Sequence, residues 1–443
     1  MTPPETISFT RLAFAASLGA FILIGATDAV FGPLLHPIAS GFGVSLPVAG
    51  TVISVQFAGA LTGVLGELAI LRWAPHLPIA TFALTVLVAG SLTIALARTW
   101  PALLVGVYLA GAGFGGTDFS LNTLMSRTAR RGRAARLNIL NAAFGAGAVL
   151  GPAVAGWLGA ATLTWGFGIA AAACCALAAG LSGVRPAPRG ADPRGAGPLP
   201  APAADQDAAR GLPEDQPRPA RTGNFAHPEK PARTDSPDRP GGPARPGSPA
   251  RPGSPVRRPA PGWQRGAIGA IALAYLLYVG TESGTAGWIP ATLVGLHYSP
   301  RSATVVTSAF WGAMTVARLL VVPVSRVIPA PRIVLAAGGL LTVALALTAI
   351  PALAPAGYIV AGFAAGPIFP TGLDWIGTAF SGGRHATSWA LLSSFGGGVA
   401  GPAAVAVVVS VAGLASVPAV LGAFAAATFG SFALIWIAGR RLA

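Results

Sequence analysis

The sequence predicts an all-α membrane protein with twelve transmembrane helices in two six-helix bundles. Three observations carry this. Of the 443 residues, 53% are hydrophobic and only 10% charged, against about 25% charged in soluble domains. Many apolar runs exceed the ~20 residues that a hydrocarbon layer ~30 Å thick requires. A Pro-rich polar stretch divides those runs six and six.

In chain order the apolar spans cover 12–37, 46–70, 76–97, 100–125, 135–160, 162–183, 265–290, 302–326, 331–352, 354–378, 385–412 and 416–438. The first run is too long for the apolar core of a cleaved signal and reads as a first helix. Arginines set the orientation. With the N-terminus inside, the inner loops and ends hold Arg11, Arg72, Arg127, Arg130, Arg131, Arg133, Arg136, Arg326, Arg332, Arg384, Arg440 and Arg441, and the outer loops only Arg98 and Arg301. The positive-inside rule then places both termini in the cytoplasm. The expected location is the plasma (inner) membrane, in several passes, as a monomer.

Residues 184–264 are a different material. They hold half of the chain's 40 prolines and little that could pack. A disordered cytoplasmic linker is expected there. The domains are therefore 1–183, a first six-helix bundle; 184–264, the linker; and 265–443, a second bundle.

The halves echo each other. Phe144-Gly145-Ala146-Gly147 followed by Gly151-Pro152 returns as Phe395-Gly396-Gly397-Gly398 followed by Gly401-Pro402. Thr27-Asp28 returns as Thr281-Glu282, 254 residues on (282 − 28). Two similar halves of equal topology fit parallel repeats about an axis along the membrane normal.

The stretch from Gly111 to Pro152 suggests the chemistry. An apolar Gly-rich segment carries Asp118 and Asn122, an arginine-rich loop follows, and the next segment opens with Asn138 and Asn141. Of the 14 acidic residues, eight lie in the linker and Glu5 in the tail; Asp28, Glu67, Asp118, Glu282 and Asp374 all lie in apolar spans. A carboxylate at the bilayer centre costs roughly 2.5–3.5 kcal/mol, so such groups face a bundle interior and mark function. Asp28 follows Arg11 by 17 residues, about 25 Å along a helix, and Asp118 and Glu282 are also deep. Glu67 and Asp374 sit near inner helix ends, where pairing with an arginine is the plainer account.

A carboxyl group taken out of water favours its protonated form, and a second one nearby adds to this. It loads a proton when open to one side and releases it when open to the other. Moving one charge across 100 mV supplies about 2.3 kcal/mol. Asp28, Asp118 and Glu282 are candidates for such coupling; the alternative for each is an interhelical hydrogen bond. Asn122 shares a helix face with Asp118, and Asn138 with Asn141. With Gln56 they line a candidate polar cavity, to which Trp288, Trp311 and Trp389 add aromatic faces. Arg318 has two accounts: snorkelling to the inner interface, or partnering a carboxylate.

The net charge of +15 does not mark a nucleic-acid binder, because it comes from loops and the central tail. Cys174 and Cys175 are adjacent in an apolar segment and fit small-residue packing. No Walker motif, metal-ligand cluster or nucleophile triad is present in the sequence; no ATPase, enzyme activity, metal or cofactor is expected.

These residues resemble the major facilitator superfamily. Its loop 2–3 signature, G-x-L-a-D-R-x-G-R-R/K, is recognisable as Gly63-Val-Leu65-Gly-Glu67-Leu-Ala-Ile-Leu-Arg72. Glu67 replaces the Asp, and the middle Arg and Gly are missing. Within the superfamily the chain is similar to the fucose permease type of sugar:proton symporters. GATDAVFGPLLHPIASGFGVS, TDFSLN, Arg136-Leu137-Asn138 with FGAGAVLGP, YVGTESGTAGWIP and SAFWGAMTVARL carry this. The resemblance implies that Asp28 and Asp118 handle proton and sugar, that Asn122 and Asn138 bind substrate, and that Gly63, Glu67 and Arg72 form a gating loop. A rival resemblance joins Gly147-x3-Gly151-Pro152-x2-Ala155-Gly156 to the span-five motif of proton-driven drug exporters.

The expected function is proton-coupled secondary transport of a small polar, sugar-like solute by alternating access. Proton-driven efflux of a drug or metabolite is the alternative, and a non-transporting receptor or scaffold the third class.

Overall fold

A computed structural model describes residues 7–70, 76–128, 133–181, 184–186, 261–379 and 383–442. The first half contains β1 (Ile7–Phe9), α1 (Arg11–Ala29), α2 (Phe31–Phe42), α3 (Leu46–Ile70), α4 (His76–Leu96), α5 (Trp100–Ser126), α6 (Arg133–Leu158), α7 (Phe167–Gly180) and β2 (Val184–Pro186). A π turn, Thr162–Gly166, leads into α7. The second half contains α8 (Pro261–Gly295), α9 (Pro300–Val324), α10 (Ala330–Leu347), α11 (Ala354–Ala365), α12 (Ile368–Ala379), α13 (Gly383–Ala412) and α14 (Val417–Leu442).

Eleven helical stretches among the described residues are long and apolar enough to cross a membrane. The 35-residue α8 supplies the twelfth span. Large apolar side chains such as Trp157, Val411 and Leu434 face outward, as a hydrocarbon solvent allows. The molecule is a multi-pass membrane protein.

Two spans are broken, and proline explains both. Pro33 has no N–H for the carbonyl of Ala29, and α1 ends there before α2 begins at Phe31. Pro370 likewise leaves the carbonyl of Gly366 free, between α11 and α12. The first break, at Val30, falls two residues after Asp28.

Small residues set the packing within each half. A Cβ on Gly147 would collide with the carbonyl of Ile22, and one on Gly151 with that of Ala26, so α6 lies directly on α1. In the second half, Gly397 meets the carbonyl of Leu276 and Gly401 that of Gly280, so α13 lies on α8 the same way. Ile22 and Leu276 are 254 residues apart, as are Ala26 and Gly280. The two sequence echoes are therefore opposite faces of one packing unit, used twice. Glycines 59 and 63 of α3 interlock with glycines 111 and 115 of α5 in a second such seam.

Between halves, α3 packs on α13, α6 on α9, and α2 on α8. The spans ending at Arg127 and Arg326 define a basic end of the bundle. Close cross-half contacts lie in the middle or toward the opposite, far end. Gly32 meets Ala286 and Gly287, Gly50 meets Trp288, Gly156 meets Thr304, Gly145 meets Thr315, and Gly398 meets Phe57. Toward the basic end, Asn141 and Trp389 are exposed.

The expected linker lies outside the described residues except at its edges, where β2 forms and α8 begins at Pro261. β2 pairs antiparallel with β1, Ile7 opposite Pro186 and Phe9 opposite Val184. This pairing has no signal in the hydropathy pattern.

Candidate functional site

Three of the deep carboxylates come together at the seam between halves. Asp28, at the end of α1, lies within electrostatic reach of Glu282, Arg318 and Asp118. Glu282, on α8, places Oε1 3.5 Å from Nη2 of Arg318 on α9. Asp118, on α5, accepts a hydrogen bond from Asn122 Nδ2 at 3.1 Å, one helical turn on. The Oδ1 atom of Asp28 is buried with no hydrogen-bond partner. Four charged side chains from four helices thus share one neighbourhood. Arg318 takes the carboxylate-partner role and not the snorkelling one.

Gln56 supports this cluster from α3. It is fully buried, and its Nε2 donates to the Thr27 carbonyl at 3.3 Å, while its Oε1 has no partner. The broken helix at Asp28 is therefore held by a side chain from the neighbouring span. Asn138 is exposed on α6. Asn141 is exposed and donates to its own helix, at the Leu137 carbonyl, 2.9 Å away.

The three tryptophans part company. Trp288 is fully buried and seated on Gly50 in the far-end seam. Trp311 is buried on α9, edge-on to Phe310 with ring centroids 5.6 Å apart. Both indole Nε1 atoms lack partners. Trp389 is 51% exposed on α13 and does not join them.

Tyr278 was missed by sequence reasoning. It precedes Glu282 by four, so both share a face of α8. Its hydroxyl interacts with Glu282 and Arg318 and donates to the Ala365 carbonyl at 3.0 Å, beside the break between α11 and α12. Tyr275, one turn earlier, donates to the Phe369 carbonyl on the other side of that break at 3.3 Å.

The loop signature is placed in part. Gly63 lets the α5 carbonyl of Ala112 approach α3. Glu67 is buried and accepts from Ser120 of α5, and no arginine among the described residues pairs with it; its Oε2 has no partner. It lies within electrostatic reach of Asp118. Arg72 lies outside the described residues. Asp374 is exposed on α12.

A groove of about 470 Å³ runs between α1, α6 and α7, lined by Ile22, Val154, Phe167 and Leu177 among others. Its walls are mostly apolar, and none of Asp28, Asp118, Glu282 and Arg318 lines it.

A search of curated proteins by sequence finds no match. Among solved structures, the nucleoside transporter NupG superposes with a TM-score of 0.64 at 13% identity, covering 96% of this chain and 99% of that one. The peptide transporter POT, in complex with sulfate, gives 0.65 at 14% identity, with 97% and 94% covered. The human organic anion transporter MFSD10 (TETRAN) gives 0.58 at 18% identity, with 98% and 100% covered. At these identities the likeness is one of fold. The family model for the Major Facilitator Superfamily matches residues 17–402. Spanning both helical halves and the seam that holds Asp28, Glu282 and Arg318, that match shows that the chain belongs to the Major Facilitator Superfamily of membrane transporters.

Proposed function

We propose that the protein is a proton-coupled secondary transporter of a small polar solute, sugar-like in class, working by alternating access in the plasma membrane with both termini cytoplasmic. The observation that carries this is the gathering of Asp118, Glu282 and Arg318 around Asp28 at the seam between halves, with Arg318 paired to Glu282. Half-buried carboxylates from both bundles feel the seam open and close, so their protonation and the rocking of the halves are linked. With arginines inside, the tight far end is the outer gate, and the exposed Asn141 and Trp389 lie toward the inner end. Asn122 and Asn138 then serve the solute from the first half, and Trp311 from the second.

The test is transport in proteoliposomes that hold the full chain. Symport predicts that adding candidate hexoses to energised vesicles makes the outer medium more alkaline. D118N is expected to lose concentrative uptake and keep solute exchange. Normal concentrative uptake in that variant would remove Asp118 from the mechanism.

The Gly147-to-Gly156 stretch also resembles the span-five motif of drug exporters, and its glycines carry the α1–α6 seam. Export predicts silence with every hexose and proton movement when lipophilic cations are added.

A further inference from the structure

Arg318 has unused binding capacity. A guanidinium offers five N–H donors in a planar fork. Its Nη2 meets Glu282 at 3.5 Å, longer than the about 2.7–2.9 Å of a tight charge-assisted bond. Its Nε is buried and has no hydrogen-bond partner. Nε and Nη2 form the side edge of the fork, which matches the two oxygens of a carboxylate. The side chain as a whole is 31% exposed, while Nε itself is covered.

The surroundings favour a small solute there. Trp311 precedes Arg318 by seven residues, two turns along the same face of α9. Its Nε1 is a second buried donor without a partner. The charged and titratable groups within reach of Arg318 are Asp28 from α1 and Glu282 and Tyr278 from α8, and Asp118 from α5 lies behind them, within reach of Asp28. The other helices packed on α9 add none at this level. The sequence of α11 has no charge, and the arginines of α6 precede Gly145 by nine residues or more.

We propose that the transported solute carries a carboxylate, or a similarly compact oxyanion, which docks on the Nε–Nη2 edge of Arg318 in place of Glu282. Glu282 takes up one proton as it is displaced. One anion and one proton enter together, and the charge of the cluster does not change. This rests on the proton-coupled function above and narrows its solute to an acidic one, such as a sugar acid. Protonation removes the cost of a buried carboxylate that has lost its cation.

The experiment uses purified full-length protein in nanodiscs and four matched probe pairs. These are acetate and acetamide, lactate and lactamide, glucuronate and glucose, and benzoate and benzamide. Thermal shift and quenching of tryptophan fluorescence report binding. At least one carboxylate is expected to bind tenfold or more tighter than its neutral partner. R318Q loses that preference. R318K, which keeps the charge without the fork, recovers it only in part and guards against a folding defect in R318Q. In E282Q the pH dependence of carboxylate binding is lost. Equal binding of acid and neutral partner, no binding of any carboxylate, or wild-type preference in R318Q overturns the anion site. Arg318-dependent carboxylate binding with no proton movement in the vesicle assay keeps the site and overturns proton coupling. Proton entry driven only by hexoses does the reverse.

Discussion

Arg318 Nη2 stands 3.5 Å from Glu282 Oε1, joining α9 to α8 inside the second half. The two side chains are 31% and 14% exposed. Removing one partner of a fully buried pair costs about 3–5 kcal/mol. Partial solvent access lowers this, and about 1–2 kcal/mol is expected for R318Q alone. E282Q with R318Q should be less damaging than the sum of the two single changes. A double-mutant cycle on melting temperature in detergent measures the difference; strict additivity means the pair contributes nothing to stability.

The twin glycine seams make a sharper stability prediction. A methyl at Gly147 or Gly401 has no space against the Ile22 or Gly280 carbonyl. G147A and G401A should each destabilise the protein by roughly 1–3 kcal/mol, since the helices must move apart. Gly430 has nothing within 4 Å of its Cβ position, and G430A should leave the melt unchanged or raise it. Equal melting of all three variants refutes the close approach.

Tyr278 couples the charge cluster to the broken tenth span. Y278F removes its hydrogen bond to the Ala365 carbonyl and leaves the ring in place. A loss of about 1 kcal/mol is expected. Faster hydrogen exchange is expected around 363–370 and not in α14. Unchanged protection there means the break is held by packing alone.

Orientation and gate state can be read by labelling. Asn141 is exposed toward the basic end, while Gly50 is covered by Trp288 at the far end. In a background lacking the native Cys174 and Cys175, N141C should react with an impermeant maleimide in inside-out vesicles and not in right-side-out cells. G50C should stay unlabelled from either side. Labelling of N141C from outside reverses the orientation argued from the arginines.

Much of the fold was legible because lipid is a demanding solvent. Twelve apolar spans, the six-plus-six division and the internal repeat all follow from hydropathy and small-residue spacing. The echo of Gly147 and Gly151 in Gly397 and Gly401 gave two matching helix seams. Deep carboxylates were also legible, since charge in an apolar run stands out. Their common neighbourhood was not, because the distance between spans is absent from a one-dimensional pattern. Arg318 was ambiguous for that reason: an arginine two turns inside a span reads as snorkelling until a carboxylate is seen beside it. Tyr278 was invisible, because a tyrosine in an apolar helix is ordinary. Trp288 was legible only as an aromatic ring inside a span, and its packing was not. It is fully buried and packed against Gly50. Glu67 drew attention as a worn loop signature, yet its partner is the hydroxyl of Ser120.

The short pairing of Ile7–Phe9 with Val184–Pro186 brings the first helix's entry and the seventh helical segment's exit to a single point. The leading half is thereby a closed circuit with its own clasp. A polypeptide severed just beyond Pro186 would retain that clasp intact. Co-expression of the severed pieces should therefore reassemble a working transporter, whereas deleting the first nine residues unfastens the circuit at both of its ends.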